Sequence, residues 1–494
     1  MNKKIIAILI FYFILQLYLS QYHELQSDEG THGLIGIFYN DAIINIMKFH
    51  SIDDIKNFAF DFILKYPKVS PYYPPLYHIL LATVFFINKS VLILRILNIL
   101  ITALTGLVVF EISKELGLKE KGAFISLIFF LVFSLIFYYA DKIMIDILQI
   151  LTFSLALLYY IKIRNKKNLD LRNVVVLSIL LVLAFSTKFY SIFLPLIILI
   201  DAIFNNKKII KELILSFVIS LLVLSPYLYF YFNFKIYKLT INLSNIPFKN
   251  NWVYFDIFSN FGMFAGIFVT ISMIWFLYKN GRNVLLLSWF FIPLIALLYI
   301  NNKDPRFAFI LMPIYAISCG SFYTYLEKTK WKKIALIIVS LIVSSQIVYD
   351  IYINSTGENH APDKIIELIK KNGNVLITSE SPVYSSVYMF YGNLYGVAGN
   401  FIRPCALQQK VVTKDFLDRW GIRYVIDQNN SISDASIAAL NLNLIEDNKI
   451  KLFEYDVKNE VDCNFICLLN GKLCGGDGFS RLLELINNRT NITD

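Results

Sequence analysis

The feature that most constrains this chain is a succession of apolar stretches, each about as long as a bilayer-spanning helix. A helix needs roughly 20 apolar residues to cross the hydrocarbon core of a bilayer. The 494 residues are 57% hydrophobic and 17% charged, whereas a soluble domain carries about 25% charged residues. The sequence therefore predicts a polytopic α-helical membrane protein with about eleven transmembrane helices. The predicted spans cover residues 4–22, 92–113, 122–140, 143–161, 173–188, 189–205, 211–232, 256–278, 283–300, 307–326 and 332–353.

The distribution of charged residues predicts the orientation of these spans. The apolar segment 73–88 opens with Pro74 and Pro75 and is short, which favours an interfacial or re-entrant helix. If it does not cross, the lysine-rich and arginine-rich loops all fall on one side, which the positive-inside rule assigns to the cytosol. The N-terminus is then cytosolic, and the first loop (23–91) and the tail (355–494) are extracytoplasmic. The Asn-X-Ser/Thr triplets also fall on the outer side; they begin at Asn88, Asn242, Asn354, Asn429, Asn488 and Asn491.

Topology also explains the net charge of +10, since the basic residues lie mainly in short loops between spans. Nucleic-acid binding is therefore not expected. The first apolar segment follows Lys3 and Lys4 as a secretory signal would, but no small-X-small cleavage pattern follows it. We expect this segment to stay as the first span.

The tail is polar, with mixed charge, and predicts an extracytoplasmic α/β domain. Residues 374–379 and 423–427 have strand patterns, and residues 363–371 and 413–420 have helical ones, which suggests a βαβ-like unit. The predicted domains are thus a transmembrane module, 1–354, and an outer domain, 355–494. Two disulfides are favoured over a zinc site for the tail cysteines, with the pairing open; these are Cys405, Cys463, Cys467 and Cys474.

Carboxylates and cations collect on the predicted outer face. The set comprises Asp28, Glu29, Asp141, Asp146, Arg95, Lys188 and Arg306. A carboxylate can take the proton from an acceptor hydroxyl as it attacks an anomeric carbon. Cations can neutralise a phosphate as it leaves, and a groove between spans can hold an isoprenoid tail. This combination predicts glycosyl transfer from a polyprenyl-phosphate sugar.

The order of these residues resembles that of the GT-C superfamily of membrane glycosyltransferases, in particular protein O-mannosyltransferases and lipid A aminoarabinose transferases. The matching pieces are Asp28-Glu29, Pro74-Pro75-Leu76-Tyr77, Leu94-Arg95-Ile96-Leu97-Asn98, Met144-Ile145-Asp146, Ser186-Thr187-Lys188, and Arg306-Phe307 running to Met312-Pro313. The resemblance implies a GT-C fold, a polyprenyl- or dolichyl-phosphate sugar donor, Asp28 as general base, and Asp146 as a second acid of the site. Glu29 joins them as a candidate catalytic carboxylate.

The chain departs from this family in two places. Many aminoarabinose-type relatives have a lysine before the proline-rich turn, where this chain has Tyr72 and Tyr73. The donor phosphate is therefore expected to contact Lys188, Arg306 or Arg95 instead. The tail lacks a recognisable β-trefoil of the kind found in protein O-mannosyltransferases, so the acceptor, whether a glycan, a lipid or a protein, stays open.

Further residues are weaker candidates for the site. Tyr73, His78 and Asp141 are candidate substrate contacts, although the pattern favours an interfacial position for His78 and a solvated position for Asp141. Glu29 and His32 stand three residues apart and can offer two ligands to a divalent metal, but the favoured expectation is that no cofactor is used. Each charged candidate also has a structural alternative, because Asp28 can cap a helix and Lys188 and Arg306 can be interfacial anchors.

Two other functions compete with glycosyl transfer. The chain can be a transporter or flippase of lipid-linked sugars, or a non-catalytic membrane assembly protein. Transporters usually place ionisable groups in the middle of spans. Here Glu111, Asp201 and Arg95 lie near the ends of predicted spans, which favours the transferase.

Overall fold

The structure, a computed structural model, describes residues 3–22, 25, 27–51, 53–55, 57–59, 73–233, 260–281, 283–299 and 304–355, together with five strands beyond residue 373. The chain divides into two compact units. The first, the membrane unit, comprises Met1–His23, Tyr72–Tyr77 and Leu92–Gly357. The second, the loop–tail unit, comprises Glu24–Pro71, His78–Val91 and Glu358–Asp494. The domain boundaries predicted from the sequence, 1–354 and 355–494, stay a prediction.

The helices follow one another closely along the chain. In chain order they are α1 (Lys3–Leu19), α2 (Ser27–Asn45), α3 (Leu76–Phe85), α4 (Val91–Glu115), α5 (Glu120–Val132), α6 (Ser134–Tyr139), α7 (Ile145–Ile163), α8 (Leu171–Phe185), α9 (Phe193–Asn205), α10 (Ile210–Asn233), α11 (Met263–Asn280), α12 (Val284–Tyr299), α13 (Met312–Glu327) and α14 (Lys332–Ser355). Short 3₁₀ helices cover Ile46–Lys48, Phe189–Ile192, Lys207–Ile209 and Pro305–Leu311.

Each predicted span is helical over most of its length. In the described part of the chain, five helical segments are long and apolar enough to cross a membrane, namely Val91–Glu115, Ile145–Ile163, Lys207–Tyr229, Pro305–Glu327 and Lys332–Tyr352. Shorter apolar helices occupy other predicted spans, including Leu171–Phe185 and Val284–Tyr299. The protein is a polytopic helical membrane protein, as predicted. The count of about eleven spans and the orientation of the termini stay predictions.

Small residues let two of the helices cross closely. Gly122 on α5 faces Gly320 on α13, and a Cβ atom at Gly320 would overlap the carbonyl oxygen of Gly122 and the hydroxyl of Ser126. Helices in membranes gain packing contact from such close backbone approach. This crossing fixes the start of α5 against the middle of α13.

Helices α6 and α14 share a buried polar network. The Ser134 hydroxyl donates to Asp350 Oδ1 at 2.7 Å, and the Gln346 amide nitrogen donates to Ser134 Oγ at 2.7 Å and to Asp350 Oδ1 at 2.9 Å. Buried polar groups are costly unless they are hydrogen-bonded. The network therefore holds the short helix α6, which precedes the loop of Asp141, against α14.

In the loop–tail unit, α2 and α3 pack against each other. Gly36 on α2 lies against α3, where a Cβ atom would stand 2.9 Å from Leu81 Cβ, and the Asn40 amide donates to the Ala82 carbonyl at 3.1 Å. The sequence analysis predicts an outer loop here and assigns it no helix of defined extent; the glycines of α2 lower its helix propensity. Helix α3 has 10 residues, about 15 Å in length, which is short for a span; that it does not cross the membrane stays a prediction.

The described part of the tail is a five-stranded sheet. Its strands are β1 (Asn374–Ile377), β2 (Phe401–Ile402), β3 (Ile422–Asp427), β4 (Asn443–Asp447) and β5 (Lys451–Glu454), in the order β2-β1-β3-β5-β4. β1 is parallel to β2 and β3, and β5 is antiparallel to β3 and β4. The parallel β1–β3 pair is the arrangement that a βαβ-like unit requires. The predicted helices at 363–371 and 413–420 and the four tail cysteines lie outside the described residues.

Candidate functional site

An ion pair between α7 and the turn before α9 forms the centre of the candidate site. Asp146 lies in the first turn of α7, and the Lys188 ammonium donates to its Oδ1 atom. The side chains of Asp146 and Lys188 are only 3% and 11% exposed. The hydroxyls of Thr152 and Thr187 lie 3.4 Å apart. This contact keeps the turn that carries Lys188, the lysine turn, against α7. The sequence predicts both charged residues at the site, and the structure brings them together.

Two aromatic rings flank the lysine. The Lys188 Nζ atom lies 5.3 Å from the ring centroid of Tyr190 and 5.1 Å from that of Phe307. The two rings are themselves 5.0 Å apart. A cation over the face of an aromatic ring is attracted by the ring's quadrupole. The ammonium is therefore held by a carboxylate and two rings.

A second ion pair lies at the start of the Pro305–Leu311 helix. Asp304 Oδ2 accepts from Arg306 Nε at 2.9 Å and also from Nη2, while Oδ1 accepts from the Arg306 backbone nitrogen at 2.9 Å. Burial acts to raise the pKa of Asp304. The hydrogen bonds and charge of Arg306, helped by the charge of Lys188, outweigh it and leave that pKa below its ordinary value. Asp304 is therefore an ionised carboxylate within electrostatic reach of both cations.

The Arg306 guanidinium reaches back towards the start of α7. It stands 5.9 Å from the ring centroid of Tyr139, and its Nη1 atom lies 3.5 Å from the sulfur of Met144. Met144 is the N-cap residue of α7, two positions before Asp146. The Lys188–Asp146 and Arg306–Asp304 ion pairs thus lie at the same end of α7. We call Asp146, Lys188, Asp304 and Arg306 the paired-charge cluster.

The proline-rich turn is fixed to this end of the membrane unit by its backbone. The Leu76 amide, directly after Pro75, donates to the Ser186 carbonyl at 2.9 Å. Tyr73, a predicted substrate contact, is half-buried in this segment. Two non-adjacent motifs of the sequence, the proline pair and the Ser-Thr-Lys turn, are therefore in direct contact.

The loop before α7 is tied to α4 by Asn98. The Asn98 amide nitrogen donates to the Tyr77 hydroxyl at 2.9 Å and also to the Lys142 carbonyl. Asp141 and Lys142 in this loop are buried, with 0% and 2% exposure, and the Lys142 ammonium lies 5.1 Å from the ring centroid of Tyr138. Asp141 is thus a buried residue of this loop, whereas the sequence pattern favours a solvated position. Its substrate contact stays a prediction.

Arg95 contacts the backbone at the end of helix α1. It lies near the start of α4, is 5% exposed, and donates to the Ser20 carbonyl just after α1. This bond satisfies a backbone group that helix α1 leaves without an intrahelical partner. The predicted phosphate contact of Arg95 is untested.

Asp28, Glu29 and His32 lie in the loop–tail unit, at the start of α2. Asp28 and Glu29 occupy its first turn, where acidic side chains favour the positive end of the helix dipole. Asp28 is half-buried and Glu29 is fully buried. A catalytic role for the two carboxylates stays a prediction.

His32 and His78 form a buried pair in the same unit. Their Nδ1 and Nε2 atoms are 3.0 Å apart, and the ring of Tyr39 is stacked with that of His78 at 6.3 Å between centroids. Burial raises the pKa of the Tyr39 hydroxyl to about 12. His78, a predicted substrate contact, and His32, a predicted metal ligand, are therefore partners of each other. Among the residues that the structure describes, no group of three or more His, Cys, Asp or Glu side chains could hold a metal ion.

The structure adds residues to which the sequence analysis assigns no role at the site. They are Asp304, Tyr190, Phe307, Tyr139 and Met144. Asp304 could have been found from its spacing, because an Asp two residues before Arg306 and next to Pro305 is typical of a side-chain cap. The aromatic residues carry no comparable signal in a chain with 42 Phe and 31 Tyr.

Comparisons with known proteins identify a family match and structures of similar fold. Residues 72–230 match the model of the dolichyl-phosphate-mannose-protein mannosyltransferase family. This segment contains the proline-rich turn, α7 and the lysine turn. A sequence search of curated proteins gives no match.

Solved structures share the fold over most of the chain. ArnT from Cupriavidus metallidurans in the apo state aligns with a TM-score of 0.62 and 10% identity, over 91% of this chain and 97% of that one. ArnT bound to undecaprenyl phosphate aligns with a TM-score of 0.59 and 11% identity, over 92% of this chain and 98% of that one. The oligosaccharyltransferase AglB from Archaeoglobus fulgidus, in complex with an inhibitory peptide and a dolichol-phosphate, aligns with a TM-score of 0.52 and 12% identity, over 86% and 69%. At these identities the similarity establishes the fold, and the predicted resemblance to GT-C glycosyltransferases is confirmed.

Proposed function

We propose that this protein transfers a sugar from a polyprenyl-phosphate-linked donor to an acceptor hydroxyl at the extracytoplasmic face of the membrane. The observation that carries the proposal is the paired-charge cluster, which places two cations at one end of the membrane unit. Structures with this fold have been solved with undecaprenyl phosphate and with dolichol-phosphate. The family that matches residues 72–230 uses a dolichyl-phosphate sugar, by its description.

The cluster suits a leaving phosphate because its cations are held in place before substrate arrives. Lys188 is paired with Asp146 and flanked by two rings, and Arg306 is paired with Asp304. Fixed charges stabilise developing negative charge without reorganising at the moment of reaction. In the proposed mechanism the donor phosphate binds to Lys188 and Arg306 and shares them with the carboxylates. The cations then neutralise the negative charge that the phosphate gains as the bond to the sugar breaks.

The chemical step is a single displacement at the anomeric carbon. The acceptor oxygen attacks that carbon and forms the new glycosidic bond, while the bond from the carbon to the phosphate oxygen breaks. The acceptor proton passes to the carboxylate of Asp28, and polyprenyl phosphate is released. Asp28 is favoured over Glu29 as the base because Asp28 is half-buried and Glu29 is fully buried. Asp146 is better suited to positioning Lys188 than to proton transfer, since its carboxylate accepts from that lysine.

The decisive experiment measures release of polyprenyl phosphate by purified protein supplied with polyprenyl-phosphate mannose or glucose. We expect Asp28→Asn and Lys188→Gln each to lower turnover by about 100-fold or more. Asp53→Asn and Lys89→Gln are matched controls, because both residues are exposed and lie in the predicted outer loop. These controls should keep wild-type turnover, and added EDTA should leave wild-type turnover unchanged if the proposed reaction uses no metal.

Two results would contradict the proposal. Wild-type protein that moves lipid-linked sugar across vesicles, without releasing polyprenyl phosphate from any donor, would establish the flippase alternative. Loss of turnover in the control variants equal to that in Asp28→Asn would show that the assay reports general damage to the fold.

A further inference from the structure

A second polar region lies at the opposite end of the same helices. Helix α7 carries Asp146 in its first turn and ends at Ile163, next to Arg164, so the two charged residues stand about 27 Å apart along the helix axis. Helix α9 likewise begins shortly after Lys188 and ends at Asn205. This region is therefore separate from the paired-charge cluster, and the predicted topology assigns it to the cytosolic face.

A cavity of about 690 Å³ occupies this end. Its walls come from the ends of α7, α9 and α11 and from the turn before α12, and among its lining residues are Arg164, Asp201, Asn205, Tyr278, Lys279 and Asn280. Tyr278 is 87% exposed, so the cavity reaches the surface. We call it the Arg164 cavity.

The Arg164 cavity is lined by two cationic side chains and one carboxylate. Arg164 lies 3.8 Å from the carboxylate of Asp201, which is fully buried. Asp201 also accepts hydrogen bonds from the Tyr160 hydroxyl at 2.7 Å and from the Asn205 amide at 2.6 Å. These bonds hold the carboxylate, which in turn positions the guanidinium, and Lys279 adds a second cation. An arginine fixed in this way is suited to a phosphate group.

Three asparagines of the cavity donate from their amide nitrogens to protein acceptors, whereas the Asn283 amide oxygen accepts from the Leu286 backbone nitrogen at 3.3 Å. Asn205 donates to Asp201, Asn206 donates to the Arg164 carbonyl at 2.7 Å, and Asn280 donates to the Phe276 carbonyl at 3.1 Å. The amide oxygens of Asn205, Asn206 and Asn280 can accept hydrogen bonds from a ligand. Acceptor oxygens beside a phosphate-binding arginine suit a phosphate ester that also carries hydroxyl groups.

Exposed apolar side chains adjoin the Arg164 cavity. Phe204, next to Asn205, is 71% exposed, and Ile274, one turn before Tyr278, is 66% exposed. In a membrane protein such side chains contact acyl chains, and an exposed tyrosine near the end of an apolar helix is typical of the headgroup level. The surroundings therefore favour a lipid over a free phosphate ester as the occupant.

We propose that the Arg164 cavity binds the headgroup of an anionic phospholipid that carries free hydroxyl groups. Arg164 and Lys279 hold its phosphate, the asparagine oxygens accept from its hydroxyls, and the acyl chains lie along Phe204 and Ile274. This site is distinct from the proposed donor site and does not depend on the transferase activity.

Native mass spectrometry of the full chain in detergent tests the proposal. Phosphatidylglycerol is the probe, phosphatidylmethanol has the same charge without the hydroxyls, and phosphatidylcholine is zwitterionic. We expect phosphatidylglycerol to bind about threefold or more tightly than phosphatidylmethanol, the effect of one or two hydrogen bonds, and phosphatidylcholine to bind weakest. Glycerol phosphate alone should bind at least tenfold more weakly than the lipid, because it lacks the acyl contacts.

Variants link this binding to the cavity. Lys279→Gln and Arg164→Gln should each weaken phosphatidylglycerol binding about tenfold. Lys167→Gln and Lys208→Gln are matched controls, since both lysines are exposed and lie on the same predicted face, and they should bind as the wild type does. Lys279 is exposed, so its variant keeps the test valid even if Arg164→Gln unfolds by disturbing Asp201.

Three results would overturn the proposal. The first is equal binding of phosphatidylglycerol and phosphatidylcholine. The second is the same loss of binding in Lys208→Gln as in Lys279→Gln, which would indicate general attraction to a basic surface. The third is binding of glycerol phosphate as tight as that of the lipid, which would indicate a site for a soluble ligand.

Discussion

The ion pair between Lys188 and Asp146 allows stability and catalysis to be separated by a double-mutant cycle. Both side chains are nearly buried, with 11% and 3% exposure, and two aromatic rings flank the Lys188 ammonium. Replacing Lys188 by Met leaves the Asp146 carboxylate buried without its cation. Breaking a buried pair in this way costs about 3–5 kcal/mol.

The reverse variant and the double variant complete the cycle. Asp146→Asn leaves a buried ammonium between two rings, which we expect to cost about 1.5–3 kcal/mol, the value of a hydrogen bond to a charged group. The double variant Asp146→Asn with Lys188→Met removes both charges, so it should be more stable than Lys188→Met alone. The expected coupling energy is about 2–3 kcal/mol, near the upper end of those seen for contacting residues.

Thermal unfolding in detergent measures stability, and release of polyprenyl phosphate measures activity. We expect the double variant to recover stability relative to Lys188→Met and yet to stay inactive, because the phosphate has lost its cation. Additive losses of stability in the double variant would refute the inference that the buried charges depend on each other. Recovery of activity in the double variant would refute the role of Lys188 at the phosphate.

Three further predictions concern packing and pH. Gly320→Val should lower the free energy of unfolding by at least about 2 kcal/mol, since the new side chain overlaps the backbone of α5; wild-type stability in denaturant unfolding would contradict this. Gly262→Ala should cost about 1–3 kcal/mol, because Gly262 has φ +90° and its Cβ would overlap Gln346, whereas Gly117→Ala, at φ +88° in open space, should cost less in the same assay. The lowered pKa of Asp304 stabilises the fold above its ordinary pKa of about 3.9, and this stability is lost as the pH falls through the lowered value. Asp304→Asn should therefore melt at a lower temperature than the wild type at neutral pH, with a smaller further loss below about pH 4; parallel pH profiles for the two proteins would contradict this.

The sequence predicted the helical segments well because the signal for a span is local. The length of an apolar run can be read without knowing which segments pack against it. That the short segment 73–88 does not cross the membrane stays a prediction. Helix α2 was not predicted, because Gly30, Gly33 and Gly36 lower helix propensity while packing against α3 stabilises it. The parallel pairing of β1 and β3 agrees with the predicted βαβ-like unit, whose helices lie outside the described residues.

The candidate site was predicted in part. Asp146, Lys188 and Arg306 were singled out because they lie on the predicted outer face and follow the order of the GT-C resemblance. The structure places all of them in the paired-charge cluster. The contact of Arg95 with Ser20 and the mutual contact of His32 and His78 were not predicted. Such contacts depend on which helix ends pack together, and the periodicity of the sequence does not predict that packing.

The sequence alone determined that this is a polytopic helical membrane protein, where its apolar helices lie, and which charged residues stand near their ends. These are properties of composition and length within one segment, since burial in lipid acts on each span separately. Only the tertiary structure decided which charges are paired. Lys188 meets Asp146 across 42 positions and Arg306 meets Met144 across 162. The Arg164 cavity likewise exists only where the ends of helices distant in sequence come together. Pairing depends on packing between helices, and the energy of a buried charge depends on the partner that packing supplies.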